Sequence, residues 1–242
     1  MRLTDFKVLT FDCYGTLIDW ESGMLAALQP LVARIGRPLS RDEILGAHAR
    51  HESAQQKATP TRLYRDLLAI VHKRLAEEWR VRVSWEESVA YGLSVRDWPA
   101  FPDSAEALSY LGRHYGLVIL SNVDNESFSF SNRKLQADFD AVFTAEDIGS
   151  YKPSPRNFEY MVDRLAGLGF GKDDILHTAE SLFHDHEPAN LFGLASCWIH
   201  RRHAAEGFGA TPSPASMPRT DFRFTSMAEL AAAHRQALAE RG

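Results

Sequence analysis

The sequence predicts an α/β protein with a Rossmann-like open parallel sheet core and an inserted helical cap domain. Short, nearly all-apolar runs at 8–11, 117–120, 175–179 and 195–199 have the composition of strands buried on both faces. Helical patterns at 104–115, 155–168, 188–193 and 227–240 alternate with them, as an open α/β sheet requires. The interval 20–98 breaks that alternation, because it holds helical periodicity and no convincing strand.

Taken in order, the first strand runs into "FDCYGTL", so Asp12 leaves a buried strand end. Four helical segments follow, with Leu63, Leu67, Val71, Leu75 and Trp79 on one face. They read as a cap over 20–98, the core being 1–19 and 99–242; extra helices packed on the sheet are the alternative. The second strand delivers Ser121 and Asn122, and a weaker strand at 141–144 precedes Lys152 in "SYKPSP". The third strong strand leads into Glu180 through Asp185. "GFGATPSPASMPR" has the Gly, Pro and Ser content of a surface loop, and "FRF" near Phe222 suits an edge strand. Ligands of such sheets bind beyond the strand C-termini at the reversal of strand order, where Asp12, Ser121, Asn122, Lys152 and Asp185 would converge.

Bulk properties exclude several classes. A net charge of -5 offers no basic stripe for nucleic acid. No run of eighteen apolar residues suggests a membrane span, and the N-terminus lacks a signal-peptide pattern. Two cysteines, Cys13 and Cys197, make no disulfide framework, so a reduced cytoplasm is expected. Each polar residue also has a structural reading. Asp12 can cap a turn, Lys152 can be a surface lysine, Ser121-Asn122 can form a turn, Thr16 can cap locally, and Cys13 reads as a buried thiol.

"DCYGTL", "SN", "YKP" and "HDHEPA", in that order, resemble the four motifs of the haloacid dehalogenase superfamily. The branch it looks like is the L-2-haloacid dehalogenase (type II) one, because of Tyr14. Superfamily phosphatases carry a second aspartate there, which protonates a departing alkoxide. A phenol of pKa near ~10 is a poor substitute, whereas chloride or bromide leaves without a proton. Fluoride is more basic, so defluorination does not follow.

The resemblance implies a hydrolase of carbon–halogen bonds. It would convert a short 2-haloalkanoic acid, a small anionic molecule, to the 2-hydroxy acid through an Asp12 alkyl ester, without a cofactor. Lys152 would keep Asp12 ionised, Thr16 fix its rotamer, and Gly15 allow the turn below it. Ser121 would hold the substrate carboxylate, Asn122 face the halide, Tyr14 wall the pocket, and Asp185 position or activate water. A cap arginine is expected in "LGAHARHESAQQ"; of Arg50, His48 and His51, Arg50 is the choice. The resemblance also makes a homodimer the assembly to look for.

Two departures stand out. Glu180, Ser181 and Leu182 occupy the register where the branch has Ser-Ser-Asn, and Phe158 stands for its tyrosine. Glu180 opens an alternative: a magnesium-dependent phosphatase of small phosphomonoesters, its ion held by Asp12, the Tyr14 carbonyl, Glu180 and Asp185. A non-catalytic anion-binding descendant is a third reading. His184 and His186 suggest a transition metal or, more simply, one packed and one solvated imidazole, with His184 as a helper base.

Overall fold

In the computed structural model, which describes residues 1–240, the sheet is six-stranded and wholly parallel. The strands are β1 (Val8–Phe11), β2 (Gly116–Ser121), β3 (Ala141–Thr144), β4 (Ile175–Ala179), β5 (Ala195–Ile199) and β6 (Phe222–Phe224). Their spatial order is β3-β2-β1-β4-β5-β6. The chain builds outward from β1 to β3, returns to β4 beside β1, and builds outward again. The order therefore reverses at β1, and the crevice beyond its C-terminal end lies there. Strands β1 and β4 are buried along their whole length, which explains their apolar runs.

Helices α1 (Trp20–Val32), α2 (Arg41–Ala58), α3 (Tyr64–Glu78) and α4 (Trp85–Leu93) lie between β1 and β2, with no named strand among them. Ser40 and Ser84 start α2 and α4 with capping boxes to Glu43 and Glu87. On α3, Leu67, Val71 and Leu75 are fully buried, as their spacing predicts. Gly92 of α4 is required for packing, because a Cβ there would stand 2.1 Å from the Arg65 carbonyl oxygen. The two ends of this stretch run side by side: Asp19 N–H donates to Pro99 O at 2.8 Å and Phe101 N–H to Leu17 O at 3.0 Å.

The remaining helices are α5 (Ser104–Leu111), α6 (Asn125–Leu135), α7 (Ala145–Ile148), α8 (Pro155–Gly167), α9 (Glu187–Leu191) and α10 (Met227–Ala239). Helix α5 stops short of the expected 115, with Gly112 as its C-cap. Neither α6 nor α7 was expected. Serine and asparagine favour caps and turns in isolation, which hides "NESFSFSNRKL" as a helix. It forms because Asp124 caps it, accepting from Ser127 N–H at 2.9 Å, and because Phe128 and Leu135 are buried.

Candidate active site

Asp12 is the first residue beyond β1, and its N–H still donates to Thr178 O at 3.1 Å, so the strand aims it into the crevice. The chain then turns sharply at Gly15, whose φ of +98° suits glycine. That turn brings Thr16 back beneath Asp12. Its hydroxyl donates to Asp12 Oδ2 at 2.9 Å and accepts Glu180 N–H at 2.9 Å. Lys152 Nζ donates to Asp12 Oδ1 at 2.9 Å, Asp185 Oδ1 at 2.7 Å and Leu120 O at 2.8 Å, so each ammonium proton has an acceptor. Asn122 fixes Lys152 by its backbone, accepting its N–H at 2.6 Å and donating to its carbonyl at 3.0 Å.

Asp185 enters from a π-helical turn, Leu182–His186. Its Oδ1 also accepts from His177 Nε2 at 3.0 Å, while Oδ2 is buried with no protein partner. His177 Nδ1 lies 2.8 Å from the hydroxyl of Thr10, its neighbour across the β1–β4 pairing. A buried polar line thus runs from Thr10 through His177, Asp185 and Lys152 to Asp12.

The two carboxyls are driven apart. Burial raises the pKa of Asp12, and the charge on Lys152 offsets this only in part. For Asp185 burial acts in the same direction, but Lys152 and the His177 hydrogen bond outweigh it and hold the group well below the carboxylate range. Burial alone would lower the pKa of Lys152; the charges and hydrogen bonds of Asp12 and Asp185 raise it instead. The outcome is a firmly ionised Asp185, a charged Lys152, and an Asp12 more basic than an ordinary aspartate.

Above Asp12 lies a cavity of about 40 Å³ walled by Asp12, Tyr14, Trp20, Glu52, Gln56, Tyr64, Asn122, Lys152, Ser181, His184, Asp185 and Thr211. Tyr14 is therefore a wall residue. Its hydroxyl lies 2.8 Å from Ser131 Oγ, and burial pushes its phenol pKa well above the ordinary value. Ser121 ends β2 next to the wall residue Asn122, with its Oγ buried and without a hydrogen-bond partner.

Arg50 is corrected outright. It sits on the outer side of α2, 65% exposed, paired with Glu78 at 3.0 Å. His51 pairs with the same glutamate at 2.6 Å, and His48 is buried behind the site. The residues that α2 does turn toward Asp12 are Glu52 and Gln56, because the helical period carries those positions to the side opposite Arg50.

Glu180 faces elsewhere. It lines a separate cavity of about 410 Å³ with Gly15, Glu21, Arg201 and Arg202, and burial pushes its pKa up to about 8. The carboxylates of Asp12, Asp185 and Glu180 form no metal-holding cluster among the described residues, and Lys152 bridges the first two. Asp12, Asp185 and Glu180 thus do not converge as the three carboxylate donors of the alternative magnesium site. Nor do His184 and His186 converge. His186 is buried with Nε2 donating to Ala179 O at 3.0 Å, whereas His184 lies on the cavity wall, not in solvent; burial lowers both to about 4.

Several site residues escaped the sequence reading. His177 and Thr10 were detectable as polar residues inside buried strands. Arg201, from the loop after β5, clamps the Thr16 carbonyl with Nε at 3.1 Å and Nη2 at 2.9 Å and pairs with Asp103 at 2.9 Å. Thr211 comes from the Gly/Pro-rich loop and Glu52 from a helix face; no local signal marks either.

A model of the haloacid dehalogenase-like hydrolase family matches residues 6–177. The (S)-2-haloacid dehalogenase of Pseudomonas putida is 26% identical over 218 residues, covering 84% of this chain and 88% of that protein. That of Pseudomonas sp. (strain YL) is 27% identical over 212 residues, covering 85% and 88%. Among solved structures, the L-2-haloacid dehalogenase from Xanthobacter autotrophicus with chloropropionic acid covalently bound aligns with a TM-score of 0.74 at 18% identity, covering 95% of this chain and 98% of that one. The HAD-hydrolase YfnB from Bacillus subtilis bound to magnesium aligns with a TM-score of 0.72 at 19% identity, covering 96% and 98%. With a family model matched over most of its length and an aspartate, threonine and lysine joined at the sheet's reversal point, this chain belongs to the haloacid dehalogenase-like hydrolase family.

Proposed function

We propose that this hydrolase cleaves a carbon–halogen bond at C2 of a short 2-haloalkanoic acid or a close derivative, through an alkyl ester on Asp12. The observation that carries the reading is the pairing of a raised-pKa Asp12 with Tyr14 two residues on. Asp12 is more basic than an ordinary aspartate, and the position where a proton donor would stand holds a buried phenol whose pKa lies well above its ordinary value. A leaving group that departs as a stable anion suits such a site; an alkoxide does not. The Pseudomonas relatives named as (S)-2-haloacid dehalogenases support the same bond class.

In the first step an Asp12 oxygen bonds to C2 as the halide leaves with its electron pair. Lys152 and Thr16 hold the carboxylate in line for attack. Water then adds to the Asp12 carbonyl carbon, the acyl C–O bond breaks, and the 2-hydroxy product leaves. The free Oδ2 of Asp185 is the acceptor that orients this water. His184 stands on the same cavity wall as Asp185 with its imidazole kept neutral by burial, and in this reading it is the helper base beside that water. Residues 20–98 serve in this reading as the cap that shields the ester.

A single turnover in oxygen-18 water tests the scheme. Label should enter Asp12 and little of the first product, and halide release should be unchanged by EDTA. Label passing straight into that product would exclude the ester.

A further inference from the structure

The Asp12 cavity is acidic on both sides. Its core wall carries Asp12 and Asp185, and Lys152 has no proton left for a ligand. The opposite wall is α2, from which Glu52 enters, 7% exposed. Glu52 Oε1 accepts from Tyr64 Oη at 2.9 Å and from Gln56 Nε2 at 3.2 Å. Oε2 lies 3.3 Å from Nδ1 of His48, a buried imidazole behind the wall that forms an ion pair with Glu52 when protonated. Among the described residues walling the cavity, Lys152 is the only lysine or arginine.

A ligand carboxylate placed here would be one more anion with no free cation to meet it, and a buried charge without a partner is disfavoured. An amide N–H₂ has the complementary chemistry, since it supplies donors to a carboxylate acceptor and carries no charge. The carbonyl beside C2 is retained, so C2 stays open to displacement. Resting on the Asp12 ester reading, we infer that this cavity selects a neutral 2-haloalkanoic amide over the corresponding 2-haloalkanoate, with Glu52 as the specificity-determining acceptor. The Asp12 oxygen–C2 bond forms as the carbon–halogen bond breaks. Hydrolysis of the ester then gives the 2-hydroxy amide, halide and one proton, at the expense of one water.

The test compares chloroacetamide with chloroacetate as substrates under multiple turnovers, which thiol alkylation cannot sustain. Unreactive acetamide and acetate serve as ligands in calorimetry, with the wild-type chain and Glu52→Gln. The amide should be favoured by about tenfold or more in kcat/KM and in affinity, and Glu52→Gln should reduce that ratio by about tenfold. A preference for the acid, or a ratio unmoved by Glu52→Gln, overturns the assignment. Were Glu52→Gln not to fold, the wild-type preference alone would decide. If neither chloro compound releases halide while acetamide still binds better than acetate in a Glu52-dependent way, the ester reading falls and the Glu52 assignment stands.

Discussion

His177 donates from Nε2 to Asp185 Oδ1 at 3.0 Å, the same oxygen that accepts Lys152 Nζ at 2.7 Å. One carboxylate oxygen is thereby held from two sides inside a fully buried site, leaving the other oxygen free. Replacing His177 with leucine removes one side. The loss should cost about 1–3 kcal/mol of stability, as for a buried hydrogen bond to a charged group, and lower turnover about tenfold. Urea unfolding and halide release measure the two effects, and His177→Gln should recover part of both.

Turnover requires ionised Asp12, so it should fall with decreasing pH through a midpoint above 3.8. The charge of Asp185 contributes to that raised value. Asp185→Asn removes the repulsion, and the acid limb of the residual kcat/KM profile should move to lower pH. An acid limb that stays in place would separate Asp185 from the ionisation of Asp12.

Folding favours the protonated form of Glu180, because its pKa of about 8 exceeds the ordinary 4.5. That contribution is full below pH 4.5 and is lost as pH rises through about 8. Glu180→Gln should therefore raise Tm relative to wild type above pH 8 and leave it nearly unchanged below pH 5. Thermal melts across that range read the difference directly.

Arg50 stands outside the cavity, in an exposed pair with Glu78. Arg50→Ala should change kcat and KM by less than about twofold and stability by under about 1 kcal/mol, as for surface pairs in general. A loss of a hundredfold or more in kcat/KM would put the arginine back at the substrate.

The motifs "DCYGTL", "YKP" and "HDHEPA" make Asp12, Thr16, Lys152 and Asp185 legible in the sequence, because each sits next to a strand end or tight turn whose local sequence is distinctive. Glu52 and Arg201 had no such marker. A helix-face glutamate and a loop arginine look like solvated charges until packing turns one toward Asp12 and the other toward the Thr16 carbonyl. Arg50 faces away from the cavity for the same reason, since neighbouring positions on a helix point in different directions and composition alone does not select among them.

By itself, the sequence determined the parallel sheet, the long helical stretch after β1, the carboxylate leaving that strand and the phenol two residues later, because strand burial and short-range turns are written in consecutive residues. Tertiary structure alone decided the sign of charge opposite Asp12, the hydrogen-bonded line from Thr10 to Lys152, and the turning of Glu180 into a different cavity. Those outcomes depend on which helix face and which loop arrive from tens or hundreds of residues away, and only the packed chain fixes that.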